Sequence, residues 1–387
     1  MTEPVLIVGA GIAGLTAALA LAKRGISVRI FEQAERLEEA GAGLQLSPNA
    51  TRILIELGLG EALKAVASQP ERVALIDARS SRELATVRLG QWAEARWGAP
   101  YYVLHRADLQ RVLLEAVASE PRIALTLGTR IESVIRDSAG LSVVTDGQPV
   151  GASFLIGADG VRSRLRRLGG GREAQPSGFT AWRATFSPDQ LSGLPASDDH
   201  VTAFVHPRVH CIAYPVRGGQ QFNLAGFSST RGECGGERDF RAFADSFAGA
   251  LPALAQLAAQ RARWSAWDVK LVRPIDWGAG ASLALIGDAA HATTPFAAQG
   301  AAMAIEDAAT LAMALASHSP RLRALDEWRR VRTARVNAVI KRGRLNRLAW
   351  HAAGPVAWVR DRVLARRTPE ALAADLDWLY GWRIGDS

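Results

Sequence analysis

The sequence predicts an α/β protein: a buried parallel sheet of nucleotide-binding type, an inserted and mainly antiparallel second sheet, and helices at the C-terminal end. Three observations carry this expectation. The chain opens on a strand–turn–helix–strand unit, two later apolar runs each lead into an acidic turn, and six further runs read as strands without intervening helices.

Val5–Val8 is an apolar strand and Leu15–Arg24 a helix rich in Ala and Leu, stopped by Gly25. Val28–Phe31 is a second strand that ends at Glu32, which completes a Rossmann-like βαβ unit of about thirty residues. Helical patterns follow at Asn49–Leu57 and at Asp108–Ser119, the latter with Asp108 as its expected N-cap. Val73–Ala78, Leu84–Leu89, Thr180–Phe186, Val201–His206, Cys211–Val216 and Phe222–Phe227 form the second sheet. Ser153–Ile156 and Ser282–Ile286 are uniformly apolar, as strands of a sheet covered on both faces should be. The parallel-sheet domain is therefore expected to be discontinuous, from 1–72, 101–176 and 268–345, with the second sheet from 73–100 and 177–267. Ala301–Leu315 and Ala324–Arg347 read as helices, and 346–387 as a C-terminal helical segment packed on the outside.

At 387 residues, 48% hydrophobic and 22% charged, the chain is long enough for two cores and has the balance of a water-soluble protein. Cys211 and Cys234 are the only cysteines, which excludes a disulfide framework and fits a reducing cytoplasm. Residues 321–347 hold ten Lys and Arg against Asp326 and Glu327, an excess equal to the net +8 of the whole chain. A solvated helix face is the plainer account of it, and a polyanion-binding surface the alternative. Val5–Ala22 is uncharged for eighteen residues, yet Gly9, Gly11 and Gly14 break it at turn positions, so no membrane span is expected. It also lacks the basic start and cleavage site of a signal peptide.

Gly9-Ala10-Gly11-Ile12-Ala13-Gly14 permits a tight turn, close backbone approach to a pyrophosphate and close helix–strand packing. Glu32, eighteen residues after Gly14, can accept hydrogen bonds from ribose hydroxyls and disfavours a 2′-phosphate. A second motif, Gly157 to Arg164 (GADGVRSR), places Asp159 after an apolar strand. The third, Gly287–Ala308, reads GDAAHATTPFAAQGAAMAIEDA and places Asp288 in the same way before a helix.

These three motifs, in this order and spacing, resemble the flavoprotein aromatic hydroxylases of the para-hydroxybenzoate hydroxylase fold. The resemblance covers almost the whole chain: GAGLQLSPNA at Gly41–Ala50, HRADLQ at His105–Gln110 and YPVRGG at Tyr214–Gly219 also fit. The tail Asp375–Trp382 (DLDWLYGW) is similar to the salicylate, 3-hydroxybenzoate and 6-hydroxynicotinate hydroxylase branch. The resemblance implies a Rossmann-like FAD-binding domain (GR2 type) and a substrate-binding sheet domain. It implies that NADH or NADPH reduces FAD, that a flavin C4a-hydroperoxide forms with O2, and that a small hydroxylated aromatic or N-heteroaromatic acid is hydroxylated. Gly9, Gly11, Gly14 and Glu32 would hold the ADP half, Arg106 the phosphate–ribityl region, and Asp288 a ribityl hydroxyl. Asp159 would serve FAD and the nicotinamide cofactor, and backbone N–H groups at Gly300 and Ala301 would face the flavin's pyrimidine oxygen.

On the substrate side, His210 and Tyr214 lie four apart on one strand and so on one face. The resemblance makes His210 a base for the phenolic proton with Tyr214 beside it; an ordinary core histidine is the alternative. Pro295 and Phe296 would border the flavin's reacting face, or form a structural turn, and Gln45 would touch flavin or substrate. Some relatives have a polar substrate contact where this chain has Phe296. His291 reads as a structural hydrogen-bonding residue. Trp92, Trp97, Trp182, Trp264 and Trp267 are candidates for the pocket wall, although tryptophan is more often core. A flavin halogenase would carry WxWxIP and a disulfide reductase CxxC; neither occurs. A tailoring hydroxylase of a larger polycyclic or quinone-like substrate is the rival enzyme, and a polyanion binder using 321–347 the rival of another class. The assembly expected is a monomer or homodimer that binds no nucleic acid.

Overall fold

The computed structural model describes residues 3–37, 43–137, 140–278 and 280–386; Gly41 and Ala42 of the Gly41–Ala50 segment lie outside these. Its parallel sheet has five strands, in the order Leu283–Leu285, Phe154–Gly157, Val5–Val8, Val28–Phe31 and Ile123–Thr126. The register pairs Val5 with Phe154 and with Val28, and Leu155 with Leu283. Helices cover both faces, so the strands are apolar throughout rather than alternating. The helix Ile12–Ala22 starts directly from Gly11, three residues before the expected start, and all eleven of its residues are buried. Its Ala-rich composition follows from that position, because it packs against both Gly300–Leu315 and Arg106–Ala118.

The second sheet contains all six expected strands plus Ser265–Leu271 at one edge. Its order is Ser265–Leu271, Gln175–Phe186, Gln221–Ser229, Val209–Val216, His200–Val205, Arg72–Asp77 and Glu83–Arg88. All neighbours are antiparallel except His200–Val205 and Arg72–Asp77. One face carries Trp182, Phe204, Cys211 and Leu224 into a core shared with Phe240, Phe243 and Phe247. The opposite face carries His210, Tyr214 and Phe227, and looks toward the rest of the molecule.

The sequence pattern does not foretell a two-stranded ribbon, Gly43–Leu46 with Tyr102–His105, or a three-stranded meander spanning Ser133–Asp137, Gly140–Thr145 and Gln148–Ala152. Asp108 is not the cap of its helix. The helix begins at Arg106, and the imidazole of His105 accepts the Ala107 N–H at 3.3 Å. The C-terminal helix is longer than expected, Arg321–Trp350, thirty residues. It is also not simply a solvated basic face, because Arg332 and Arg335 are buried. Among the described residues no helix is long and apolar enough to cross a membrane.

Candidate active site

Three adjacent parallel strands end on the same side of the sheet, and each is followed at once by one of the three motifs. The loops interlock: Ala158 N–H donates to Val8 O at 2.8 Å, and Ile286 N–H to Gly157 O at 2.9 Å. Gly9 has φ +105°, and a Cβ there would lie 2.4 Å from Ala158 O. A Cβ on Gly14 would lie 1.9 Å from Gly9 O. A Cβ on Gly11 would meet no described atom within 4 Å, so there the backbone faces a space that a ligand can enter. Gly287 (φ +60°) packs a motif apart, its Cβ position 3.2 Å from Ala13 and 3.1 Å from Ala304.

The carboxylates differ in how they are held. Glu32 accepts the Ala10 N–H at 2.8 Å and the Ala34 N–H at 2.9 Å, which pins the glycine loop and leaves each oxygen spare acceptor capacity. Asp159 uses Oδ2 to cap the helix Arg164–Leu168 at Arg164 N (2.7 Å) and Leu165 N (3.1 Å). Its Oδ1 is buried with no hydrogen-bond partner among the described residues. Asp288 is exposed in the first turn after Gly287. Gly300 and Ala301 open a sixteen-residue helix without a side-chain cap, and Ile12 opens its helix likewise. Such N-termini present unpaired N–H groups and partial positive charge. Arg106 is the first residue of its own helix. The orphaned acceptor of Asp159, the open backbone at Gly11 and two uncapped helix starts fit a dinucleotide flavin.

The sequence alone does not reveal what braces this rim. Arg166, wholly buried, donates to Ala289 O (2.7 Å), Val161 O (2.8 Å) and Arg172 O (2.8 Å), and so joins the second motif to the third. Asp307 accepts from Gly287 N at 2.9 Å, lies 2.5 Å from His291 Nε2 and accepts from Arg332 Nε at 2.8 Å. Glu306 pairs with Arg332 (2.6 Å) and Arg335 (2.8 Å), and accepts from Asn49 at 2.7 Å. Arg335 also holds the tail through Trp378 O and Leu379 O. Burial opposes the charge of Asp307, but His291 and Arg332 and its hydrogen bonds keep the carboxyl below its ordinary value. Arg332 is likewise held above its ordinary value despite burial, by Asp307 and Glu306. His291 is thus structural, as expected.

On the substrate side, His210 is 1% exposed in an aromatic box. Phe227 stacks on it at 4.8 Å, Trp350 meets it edge-on at 4.9 Å, and Phe296 lies tilted at 5.3 Å. Its Nδ1 is 3.0 Å from His351 Nε2, and its Nε2 has no partner among the described residues. Burial first, then the neighbouring His351, pushes the imidazole well below its ordinary value, so it is neutral near pH 7. Tyr214 shares the strand face but has other neighbours: Gln45 and Asn223 lie beside its hydroxyl. Gln45 Oε1 in turn accepts from Tyr101 at 2.6 Å. Pro295 and Phe296 form one short 3₁₀ turn, anchored by Asn346 donating to Phe296 O at 3.0 Å.

Tryptophans line this region less than the sequence suggests. Trp182 and Trp264 pack on the far face of the sheet, Trp182 stacked on Phe243 at 4.9 Å, because large flat rings fill the core between sheet and helices. Trp97 lies against Trp92 and Tyr380 near the tail, and Trp267 is an exposed edge residue beneath Arg183. His351 and Trp350, which do border His210, fall outside every motif in the sequence.

The fold and the rim of this site define a flavoprotein with a parallel FAD-binding sheet, an antiparallel partner sheet and C-terminal helices. Residues 2–343 match the FAD binding domain family, and the chain belongs to it as a flavoprotein monooxygenase. It is 35% identical to the 3-hydroxybenzoate 6-hydroxylase of Polaromonas naphthalenivorans (strain CJ2), over 99% of this chain and 97% of that protein. It is 32% identical to the 6-hydroxynicotinate 3-monooxygenase of Bordetella bronchiseptica (strain ATCC BAA-588 / NCTC 13252 / RB50), over 87% and 90%. Klebsiella pneumoniae HpxO, solved with FAD and uric acid, superposes with a TM-score of 0.83 at 25% identity, over 97% and 95% of the two chains.

Proposed function

We propose that this monooxygenase hydroxylates a small hydroxylated aromatic or N-heteroaromatic acid, with NADH or NADPH as reductant and O2 as oxidant. FAD, when bound, supplies hydride acceptance and oxygen activation; the chain supplies everything else. Gly9, Gly11, Gly14 and Glu32 hold the ADP half, Arg106 the phosphate–ribityl region and Asp288 a ribityl hydroxyl; Asp159 serves FAD and the nicotinamide cofactor, and the N–H groups of Gly300 and Ala301 face the flavin ring. The segments 1–72, 101–176 and 268–345 form that FAD-binding part and 73–100 with 177–267 the sheet that receives the substrate, to whose strands 72, 175–176 and 268–271 also contribute.

One observation carries the substrate reading: a neutral imidazole, His210, sits in an aromatic box against the Pro295–Phe296 turn with an unpartnered ring nitrogen. A phenol attacked by an electrophilic oxygen reacts faster as phenolate, and a phenol's ordinary value near 10 means a base must help at neutral pH. Tyr214, with Gln45, offers a neutral hydroxyl to orient the acid, and the aromatic walls keep water away. The names of the two curated relatives support this substrate class. Burial of Arg332 and Arg335 in ion pairs removes two cations from the basic segment and weakens the polyanion alternative.

A panel of hydroxybenzoates, hydroxynicotinates and larger phenols tests the proposal, read as stimulated NADH or NADPH oxidation with product mass. Stimulation and a product heavier by one oxygen are expected for small acids. Turnover of polycyclic phenols alone would overturn the substrate class.

A further inference from the structure

We infer that the helical hairpin closing the long basic helix docks on the surface of an anionic lipid bilayer. Its two arms are the last turns of Arg321–Trp350 and the helix Gly354–Leu364, joined by 351–353. Arg360 donates to Ala349 O at 2.9 Å and holds the arms together, while Asp361 pairs with Arg82 beside the edge strand Glu83–Arg88. None of the eleven residues of Gly354–Leu364 is buried. A helix this short is marginal in water on its own, and in a folded protein it is normally stabilised by burying an apolar stripe. Here the stripe faces outward. Val356, Val359 and Val363 recur at helical spacing and are each more than half exposed, as is Trp358 beside them. Leu345 and Leu348, one turn apart on the other arm, are likewise more than half exposed. Single exposed apolar side chains need no explanation, but six large ones on two adjoining helices mark an interaction surface.

Charge decides what covers it. From 341 to 367 the chain has eight Lys and Arg against Asp361 alone. Arg360 is taken up by Asp361 and Ala349, and Arg367 by Asp375. Lys341, Arg344, Arg362 and Arg366 are exposed and make no ion pair with any described residue. Arg362 instead lies over the Trp358 ring at 4.5 Å. A second copy seated on this face through a twofold axis would set these cations against their own images. A nucleic acid would satisfy the cations but leave the leucines and valines in water. A bilayer with anionic headgroups meets both needs. Headgroups take the cations, the apolar side chains enter the acyl boundary, and an indole bearing a guanidinium suits the depth between. No described helix is long and apolar enough to cross a membrane, so the contact is with its surface.

The test uses FAD-loaded protein and two vesicle preparations, phosphatidylcholine alone and an equal mixture of phosphatidylcholine with phosphatidylglycerol, read by co-sedimentation. Binding is expected to the mixed vesicles and not to phosphatidylcholine, and it should weaken with added salt. Each Lys or Arg near an anionic surface is worth about fivefold in partition, so Arg362→Gln with Arg366→Gln should lower binding by roughly twenty- to thirtyfold. Val359→Ser with Val363→Ser should lower it by roughly tenfold or more through lost apolar burial alone. All four side chains are exposed, so flavin content and the unfolding midpoint should match the wild type. No binding to the mixed vesicles, equal binding to both preparations, or wild-type binding by either double variant would overturn the inference. A dimer in sedimentation velocity that Val359→Glu dissociates would give the face to a second copy and overturn it too.

Discussion

Arg332 on the helix Arg321–Trp350 donates to Asp307 on Gly300–Leu315 at 2.8 Å, with both side chains fully buried. The pair is not isolated: Asp307 also accepts the N–H of Gly287, the residue that sets the turn before Asp288. A wholly buried charge pair earns little stability against an apolar alternative, but removal of one partner strands the other. Here it fixes the register of two helices and, through Gly287, the position of a turn at the flavin rim.

Asp307→Asn should therefore cost about 3–5 kcal/mol, the range for breaking a buried pair by removing one partner. Denaturant unfolding of the flavin-free protein reads it. The pH dependence has a definite sign. Asp307 titrates below its ordinary value of 3.8 in the folded chain, so its contribution is present above that value and is lost as pH falls through the lower, folded one. The wild type should lose stability in that acid range, and the gap to Asp307→Asn should narrow there. A gap unchanged down to the acid transition would show that the carboxylate's charge is not what the network needs.

The glycine loop separates packing from ligand contact. Gly14→Ala places a Cβ against the Gly9 carbonyl and should destabilise the protein itself, by about 1–3 kcal/mol as for overpacking. Gly11→Val sets its Cβ where no described atom lies within 4 Å, and the φ of −76° suits any residue. It should leave the unfolding midpoint of the flavin-free protein unchanged while the purified protein loses its yellow colour. Retained flavin in Gly11→Val would move the pyrophosphate away from Gly11.

That contrast also marks what could be read in advance. Val5–Val8, Phe154–Gly157 and Leu283–Leu285 are legible because strands buried on both faces must be apolar throughout, and the acidic turns follow from their carboxyl ends. The pairing of Glu306 and Asp307 with Arg332 and Arg335 is not legible, because net charge says nothing about which face of a helix bears it. A signal was nonetheless there: two adjacent carboxylates interrupt an otherwise uncharged Ala-rich helix, Gly300–Leu315. The His105 cap was missed because Asp108, a stronger capping residue by type, stands one turn too late. His351 could not be found at all without knowing where a thirty-residue helix stops.

His210→Ala should lower coupled hydroxylation by roughly 10²–10⁴-fold, the span of a positioned general base. Flavin content should not change, since His210 lies on the second sheet while the glycine loop, Asp159 and Asp288 lie at the end of the first. NADH or NADPH oxidation that continues with hydrogen peroxide as product is the expected signature. Loss of flavin with coupling intact would place His210 in the cofactor site instead.

Tyr214 and Gln45 make the last case, because the hydroxyl of Tyr214 lies beside Gln45 and Asn223 yet ionises only with difficulty. Burial raises the phenol above its ordinary value, and Arg183, Gln45 and Asn223 only partly oppose that. Tyr214 is thus neutral throughout the working range and can orient a substrate but not deprotonate it. Tyr214→Phe removes the hydroxyl proposed to orient the substrate carboxylate, a loss of about 1.5–3 kcal/mol for a hydrogen bond to a charged group. If that loss falls on the bound complex, KM for the acid rises by roughly ten- to a hundredfold, since each 1.4 kcal/mol is about a factor of ten. The pH profile of kcat should keep its wild-type shape, because no titrating group has been removed. A profile that loses its basic limb in Tyr214→Phe would show the phenol, and not His210, to be the group that exchanges the proton.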